Sequence, residues 1–147
     1  MLARPVDTAR LERNKAIVRR FVEGFNNRDL QEIEATMVPD PIRHSFTPDS
    51  AIRGLDAFKA FCQADWSTFP DSQTTITHMA AEGDLVAMYS AYTATQQGQM
   101  GPFPPTGKRT SVDWAAFFRI QDDKIAEAWM TWDTGSVLVQ LGHLPLP

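Results

Sequence analysis

Cysteine is nearly absent from this sequence: Cys62 is the only one. A single thiol cannot close an internal disulfide or furnish a cysteine-rich zinc site. It falls in an expected helix beside Phe58 and Phe61, with no nucleophile elbow around it, so a buried structural thiol is the favoured reading. Long apolar runs are missing too. No stretch approaches the roughly 20 residues that span a bilayer, and the N-terminus has no apolar signal core, so a cytoplasmic protein without a membrane partner is expected. There is also no excess of positive charge. The formal net charge is -4, and basic residues are scattered apart from pairs such as Arg19-Arg20 and Lys108-Arg109, which argues against a nucleic-acid partner. Glycine-rich phosphate loops, paired-histidine helices and calcium loops do not occur. The three histidines, His44, His78 and His143, are far apart in sequence. Hence no metal and no cofactor is expected.

The rest is an ordinary globular balance, 43% hydrophobic and 22% charged over 147 residues. That length suits one domain, 1–147, with residues 1–8 as a loose arm. Leu11, Ile17, Val18, Phe21, Val22 and Phe25 recur at helical spacing and form one apolar stripe. Asn26-Asn27 breaks it. Asp29 can cap a shorter helix carrying Leu30, Ile33 and Met37, which Pro39 and Pro41 end. Ile42 to Phe46 is expected to be a short strand, closed by Pro48-Asp49. Gly54 precedes a third helix with Leu55, Phe58, Phe61 and Cys62 on its apolar side.

After the Phe69-Pro70-Asp71 turn the period changes from about 3.6 to 2. Strands are expected over Thr74–His78, Leu85–Thr95, Lys108–Ile120 and Lys124–Trp132. Gln96–Gly107 reads as a loop, with three glycines and three prolines. Helices first, then mostly antiparallel strands, predict an α+β domain with a curved sheet packed on helices. Both faces of the last two strands are largely apolar, with Trp114, Phe117, Phe118, Ile120, Met130 and Trp132 unable to share one core. A homodimer through the second face is therefore expected.

Asp133 is the leading chemical candidate. Strict alternation along the last strand places it with Ile125, Glu127, Trp129 and Thr131. A carboxylate on the face of a tryptophan is costly to bury unless paired, protonated or facing a polar cavity. The competing reading is a cap where the strand ends. His44 follows an extended segment in phase with Phe46, so both are expected to line the same interior, with His44 as either a structural or a catalytic histidine. His78 is favoured as structural. Tyr89 and Tyr92 lie on opposite faces of their strand, as do Asp113 and Trp114. The tryptophans Trp66, Trp114, Trp129 and Trp132 suit either a core or a pocket for a flat ligand. The Pro/Gly loop with Met100 and Phe103 is expected at the pocket rim.

The segments NKAIVRRFVEGFNNRDL at 14–30, Gly54 to Phe61, FPD at 69–71 and AEGDLVAMYSAYTAT at 81–95 resemble the SnoaL-like polyketide cyclase family. So do PPTGKR at 104–109, FFRIQDDKIAEAW at 117–129 and WDTGSVLVQLG at 132–142. That family lies within the nuclear-transport-factor-2-like superfamily, and the resemblance implies its cone-shaped α+β fold around a hydrophobic cavity. It implies an intramolecular aldol closure, or a related lyase or isomerase step, on a hydrophobic carbonyl compound without metal or cofactor. It places the acid/base on Asp133, with His44 toward the cavity. Trp129, Trp66, Phe103, Met100, Tyr92 and Trp114 are then the expected ligand contacts. One departure stands out: a position often polar in the family, two before Phe118, is Ala116. A noncatalytic small-molecule binder and a hydratase or hydrolase are the alternatives.

Overall fold

The computed structural model describes residues 4–45 and 50–146. Helix α1, Thr8–Asn26, starts where the Asp7 carboxylate accepts a hydrogen bond from the Arg10 amide at 3.0 Å. Its stripe buries Ile17, Val18, Phe21 and Val22. The chain then turns through Arg28 in the left-handed region (φ 56°). The Arg28 guanidinium donates to the carbonyls of Asn26, Phe69, Pro70 and Ser72, fastening this turn to the one after the third helix. Asp29 caps α2, Leu30–Ala35, accepting from the amides of Gln31 and Glu32 at 3.0 and 3.1 Å.

Met37 does not belong to α2, contrary to expectation. It opens β1, Met37–His44, which runs through both prolines. Proline can sit there because the pairing register of β1 shifts between Met37 and Ile42, so no unbroken ladder requires the missing amides. Phe46, Pro48 and Asp49 lie outside the described residues. β2, Ile52–Arg53, pairs with β1, and Gly54 (φ 87°) leads into α3, Leu55–Thr68.

Four long strands follow: β3 Gln73–Glu82, β4 Leu85–Thr95, β5 Arg109–Gln121 and β6 Lys124–Trp132. A short helix, α4 Thr134–Gln140, follows them. The sheet order is β2-β1-β6-β5-β4-β3, with β1 parallel to β6 and all other pairs antiparallel. This is an α+β fold with a curved, mostly antiparallel sheet packed against the N-terminal helices.

The inner sheet face and the helices bury one core. Phe21 lies at its centre, with ring centroids 5.9 Å from Phe58 and 5.8 Å from Phe118. A second cluster joins Phe69, Tyr92, Ala94, Val137 and Leu141 under α4. Gln96 organises the Pro/Gly loop beside it. Its fully buried amide donates to the carbonyls of Gly98, Phe103 and Pro104, and its oxygen accepts from His143 at 2.7 Å. Gly98 must lack a side chain, because a Cβ there would come within 2.5 Å of the Ser67 carbonyl oxygen.

Candidate active site

A cavity opens between α1, α3 and the inner face of the sheet. The empty space is about 740 Å³, its open mouth included. The helices contribute Phe21, Phe25, Phe58 and Phe61; the sheet contributes Tyr92, Trp114, Met130 and Trp132. Among the described lining residues, two side chains carry charge: Asp65 from α3 and Arg43 from β1.

Asp65 follows Phe58 and Cys62 at intervals of four and three, so the helix places its carboxyl on the apolar face. Among the described residues, no hydrogen bond or ion pair engages that carboxylate. Burial pushes it up to about 6, against the opposing pull of Arg43 and then Arg28. Arg43 is held by three contacts. Its guanidinium carbon lies 4.4 Å from the Phe61 ring centroid, its Nε donates to Met130 Sδ at 2.9 Å, and its Nη1 donates to Ser45 Oγ at 2.8 Å. Burial lowers its pKa, with Asp65 and then Cys62 pulling the other way. Arginine nevertheless stays protonated in any ordinary pH range.

The cavity wall also holds unused hydrogen-bond donors. The Trp114 Nε1 is buried without a partner. The Tyr92 hydroxyl lies beside Ser72 without a hydrogen bond of normal geometry, and burial raises its pKa. Cys62 is buried in α3, and desolvation pushes its thiol up to about 12, which suits the structural role expected of it.

Of the residues singled out from sequence, Tyr92 and Trp114 line the cavity. Trp66 packs next to it, its ring 5.4 Å from that of Phe25, with its Nε1 also buried and unpartnered. The opposite orientations expected for Tyr89 and Tyr92 are found: Tyr89 is exposed and donates to Asp113 at 3.1 Å on the outer face.

His44 and Trp129 come together, but on the other side of the sheet. Their rings stack at 5.2 Å, and His44 Nε2 is 2.7 Å from Glu127 Oε1. Since neighbouring residues of a strand point to opposite faces, Arg43 facing the cavity turns His44 away from it. Trp129 is likewise paired with the half-exposed Phe117 on the outer face. The expected interior position of His44 is therefore corrected. Strict alternation along β6 fails as well. The register with β5 shifts between Arg119 and Ile120, so Ile125 enters the core while Glu127 and Trp129 face out.

Asp133 is the N-cap of α4, its Oδ1 accepting from the Ser136 amide at 2.9 Å. The cavity lining stops one residue before it, at Trp132. No hydrogen bond or ion pair joins Asp133 to His44. Met100 and Phe103 bridge each other across the loop; the Phe103 ring is tilted against that of His143 with centroids 4.8 Å apart, and Met100 packs on the cluster behind Tyr92. Neither touches the cavity, so the loop backs its wall instead of forming its rim. Ala116 is buried opposite Met130 on the inner face.

Sequence reasoning missed Asp65 and Arg43. A signal existed for Asp65: it continues the Leu55, Phe58, Phe61 and Cys62 stripe as a lone charge. Arg43 had none, since alternation alone does not say which face of β1 is inward. Among the described residues, no group of three or more His, Cys, Asp or Glu side chains is placed to hold a metal ion. Among the described residues, no helix is long and apolar enough to cross a membrane.

The family model for SnoaL-like polyketide cyclases matches residues 15–141, and the chain belongs to that family, within the nuclear-transport-factor-2-like superfamily. Among solved structures it is similar to AclR from Streptomyces galilaeus, a proposed hydroxylase. That match has 32% identity and a TM-score of 0.80, covering 93% of this chain and 86% of AclR. It is also similar to IdmH from Streptomyces antibioticus, a proposed polyketide cyclase, with 26% identity and a TM-score of 0.76, covering 88% and 98% of the two chains. TsrD from Streptomyces laurentii shares the fold at 24% identity and a TM-score of 0.82, covering 95% of this chain and 100% of TsrD. No curated protein matches.

Proposed function

We propose that this protein is a lyase or isomerase that moves a proton on a hydrophobic carbonyl compound bound in the cavity, with Asp65 as the acid/base. The observation that carries this is a carboxyl in an apolar cavity, without a hydrogen-bond partner among the described residues, pushed up to about 6. Such a group is basic enough to remove a proton next to a carbonyl and remains mostly ionised at neutral pH. The aromatic walls would hold a flat substrate and exclude water. Ring closure, the chemistry proposed for IdmH, can begin from the resulting enolate. Hydroxylation, proposed for AclR, would need an oxidant as well. Asp133, the acid/base implied by the family resemblance, is occupied as a helix cap and makes the weaker candidate.

The test needs no natural substrate. A bicyclic ketone such as 2-tetralone, incubated in D₂O, should exchange its α-hydrogens faster with the protein than without it. Asp65→Asn should lower that enhancement by about a hundredfold or more, in line with general acid–base contributions of 10²–10⁴. Equal exchange by folded wild type and Asp65→Asn would reject this assignment. A second reading, a binding protein without turnover, is favoured by Ala116 and Met130, which put no polar partner on that stretch of wall. It predicts tight binding with no exchange above background.

A further inference from the structure

We infer that Arg43 is an anion site, and that the cavity selects flat apolar molecules bearing one oxygen that is bound as an anion. The inference rests on the proposed proton-transfer cavity but concerns a different residue and a different readout. Arg43 is fixed on Phe61, Met130 and Ser45, none of which carries negative charge. Among the described residues no ion pair neutralises it, although Asp65 lines the same cavity. A guanidinium held this way is positioned but not neutralised, and its planar donor set suits an anionic oxygen. The unpartnered Trp114 Nε1 and Tyr92 hydroxyl supply neutral donors on the same wall.

Two chemistries can present such an oxygen. An acidic phenol or enol can give its O–H proton to the Asp65 carboxylate. The O–H electron pair stays on the ligand oxygen, whose new negative charge faces Arg43, and the total charge of the site does not change. A carboxylate arrives already charged, so it meets Asp65 as a second anion and favours the cavity with Asp65 protonated. The groups around Asp65 are Arg43 on β1, Arg28 after α1, Cys62 on α3 and Tyr92 on β4. Of these, the two arginines oppose protonation of Asp65, and neither the thiol nor the phenol ionises near neutrality. The pH dependence of binding therefore belongs to Asp65 and the ligand.

The experiment compares coumarin, 7-hydroxycoumarin and coumarin-3-carboxylate at pH 5.5–8.5. The neutral and ionised forms of 7-hydroxycoumarin absorb at different wavelengths. Bound to wild type, it should show the ionised spectrum at pH values where the free dye is neutral, and bind about tenfold or more tightly than coumarin. Arg43→Met should restore the neutral spectrum and remove that preference, while Arg43→Lys should keep part of both. Thermal melts establish that each variant is folded. Coumarin-3-carboxylate should lose about tenfold in affinity per pH unit above about 6, and Asp65→Asn should flatten that slope. The dye spectrum and its Arg43 variants report on the guanidinium, whereas α-hydrogen exchange reports on the Asp65 carboxylate, so the two assignments can fail separately. Equal affinity for coumarin and 7-hydroxycoumarin, a neutral bound spectrum in wild type, or unchanged binding by folded Arg43→Met would each overturn it.

Discussion

Asp65 and Arg43 share the wall of one apolar cavity without forming an ion pair. Each therefore retains bonding capacity for something other than the protein. A structural salt bridge would have quenched both. This arrangement, more than the fold, points to chemistry on a bound molecule.

The cavity carboxyl should cost stability. The folded-state pKa of Asp65 is raised from 3.8 to about 6, so the folded protein binds the proton more tightly than the unfolded chain. The favourable contribution is fully present below about 4 and is lost as pH rises through about 6. Asp65→Asn should therefore stabilise the protein by up to about 3 kcal/mol at pH 7.5 and do little near pH 4. Paired urea titrations at the two pH values measure this. A destabilised Asn variant at pH 7.5 would mean that the carboxylate is compensated in a way this geometry does not provide.

Turnover should follow the same group from the other side. A base must be ionised, so the rate of α-hydrogen exchange should rise with pH and level off above about 6. A flat profile from pH 5 to 8 would point away from Asp65.

Asp133 can be separated from catalysis by two substitutions. Asparagine is as good an N-cap as aspartate, so Asp133→Asn should change stability by a few tenths of a kcal/mol, whereas Asp133→Ala should cost about 1 kcal/mol. Both should exchange α-hydrogens at near wild-type rates per folded molecule. A hundredfold loss in Asp133→Asn with normal melting would return the acid/base role to Asp133.

The outer sheet face is where we propose that two copies meet. Phe117 and Tyr89 are 53% and 46% exposed there, next to the His44–Trp129 stack. Sedimentation at low micromolar concentration should give twice the mass of one chain, and Phe117→Lys should yield the single-chain mass. Wild type that sediments as a monomer at every concentration would refute this.

Gln96 should matter for the Pro/Gly loop more than for ligand binding. Gln96→Leu leaves the carbonyls of Gly98, Phe103 and Pro104 and the His143 ring without their buried partner. A loss of about 1–3 kcal/mol is expected. Hydrogen exchange should show residues 98–107 opening, while dye affinity stays within about twofold. Full stability would show that water replaces the amide.

Local pattern by itself determined most of the elements. The α1 stripe, the Asp29 cap, the exact limits of β4 and β6, and the opposite orientations of Tyr89 and Tyr92 follow from periods of 3.6 and 2 and from short-range capping. Tertiary structure decided what those periods cannot encode. Which face of β1 is inward depends on its parallel pairing with β6, more than 80 residues away in sequence, and that pairing sends Arg43 into the cavity and His44 out. A one-residue irregularity opposite Ile120 separates Ile125 from Glu127 and Trp129, although strict alternation groups all three. Asp133 stands at a strand end, and only the turn into α4 settles that its carboxylate caps a helix. Asp65 was visible as a lone charge on an apolar helical stripe, but a charge there becomes a functional group only when the facing strands leave it a cavity and a cation. Alternation is a local property of the chain, whereas inward and outward are defined by long-range contacts that no local repeat carries.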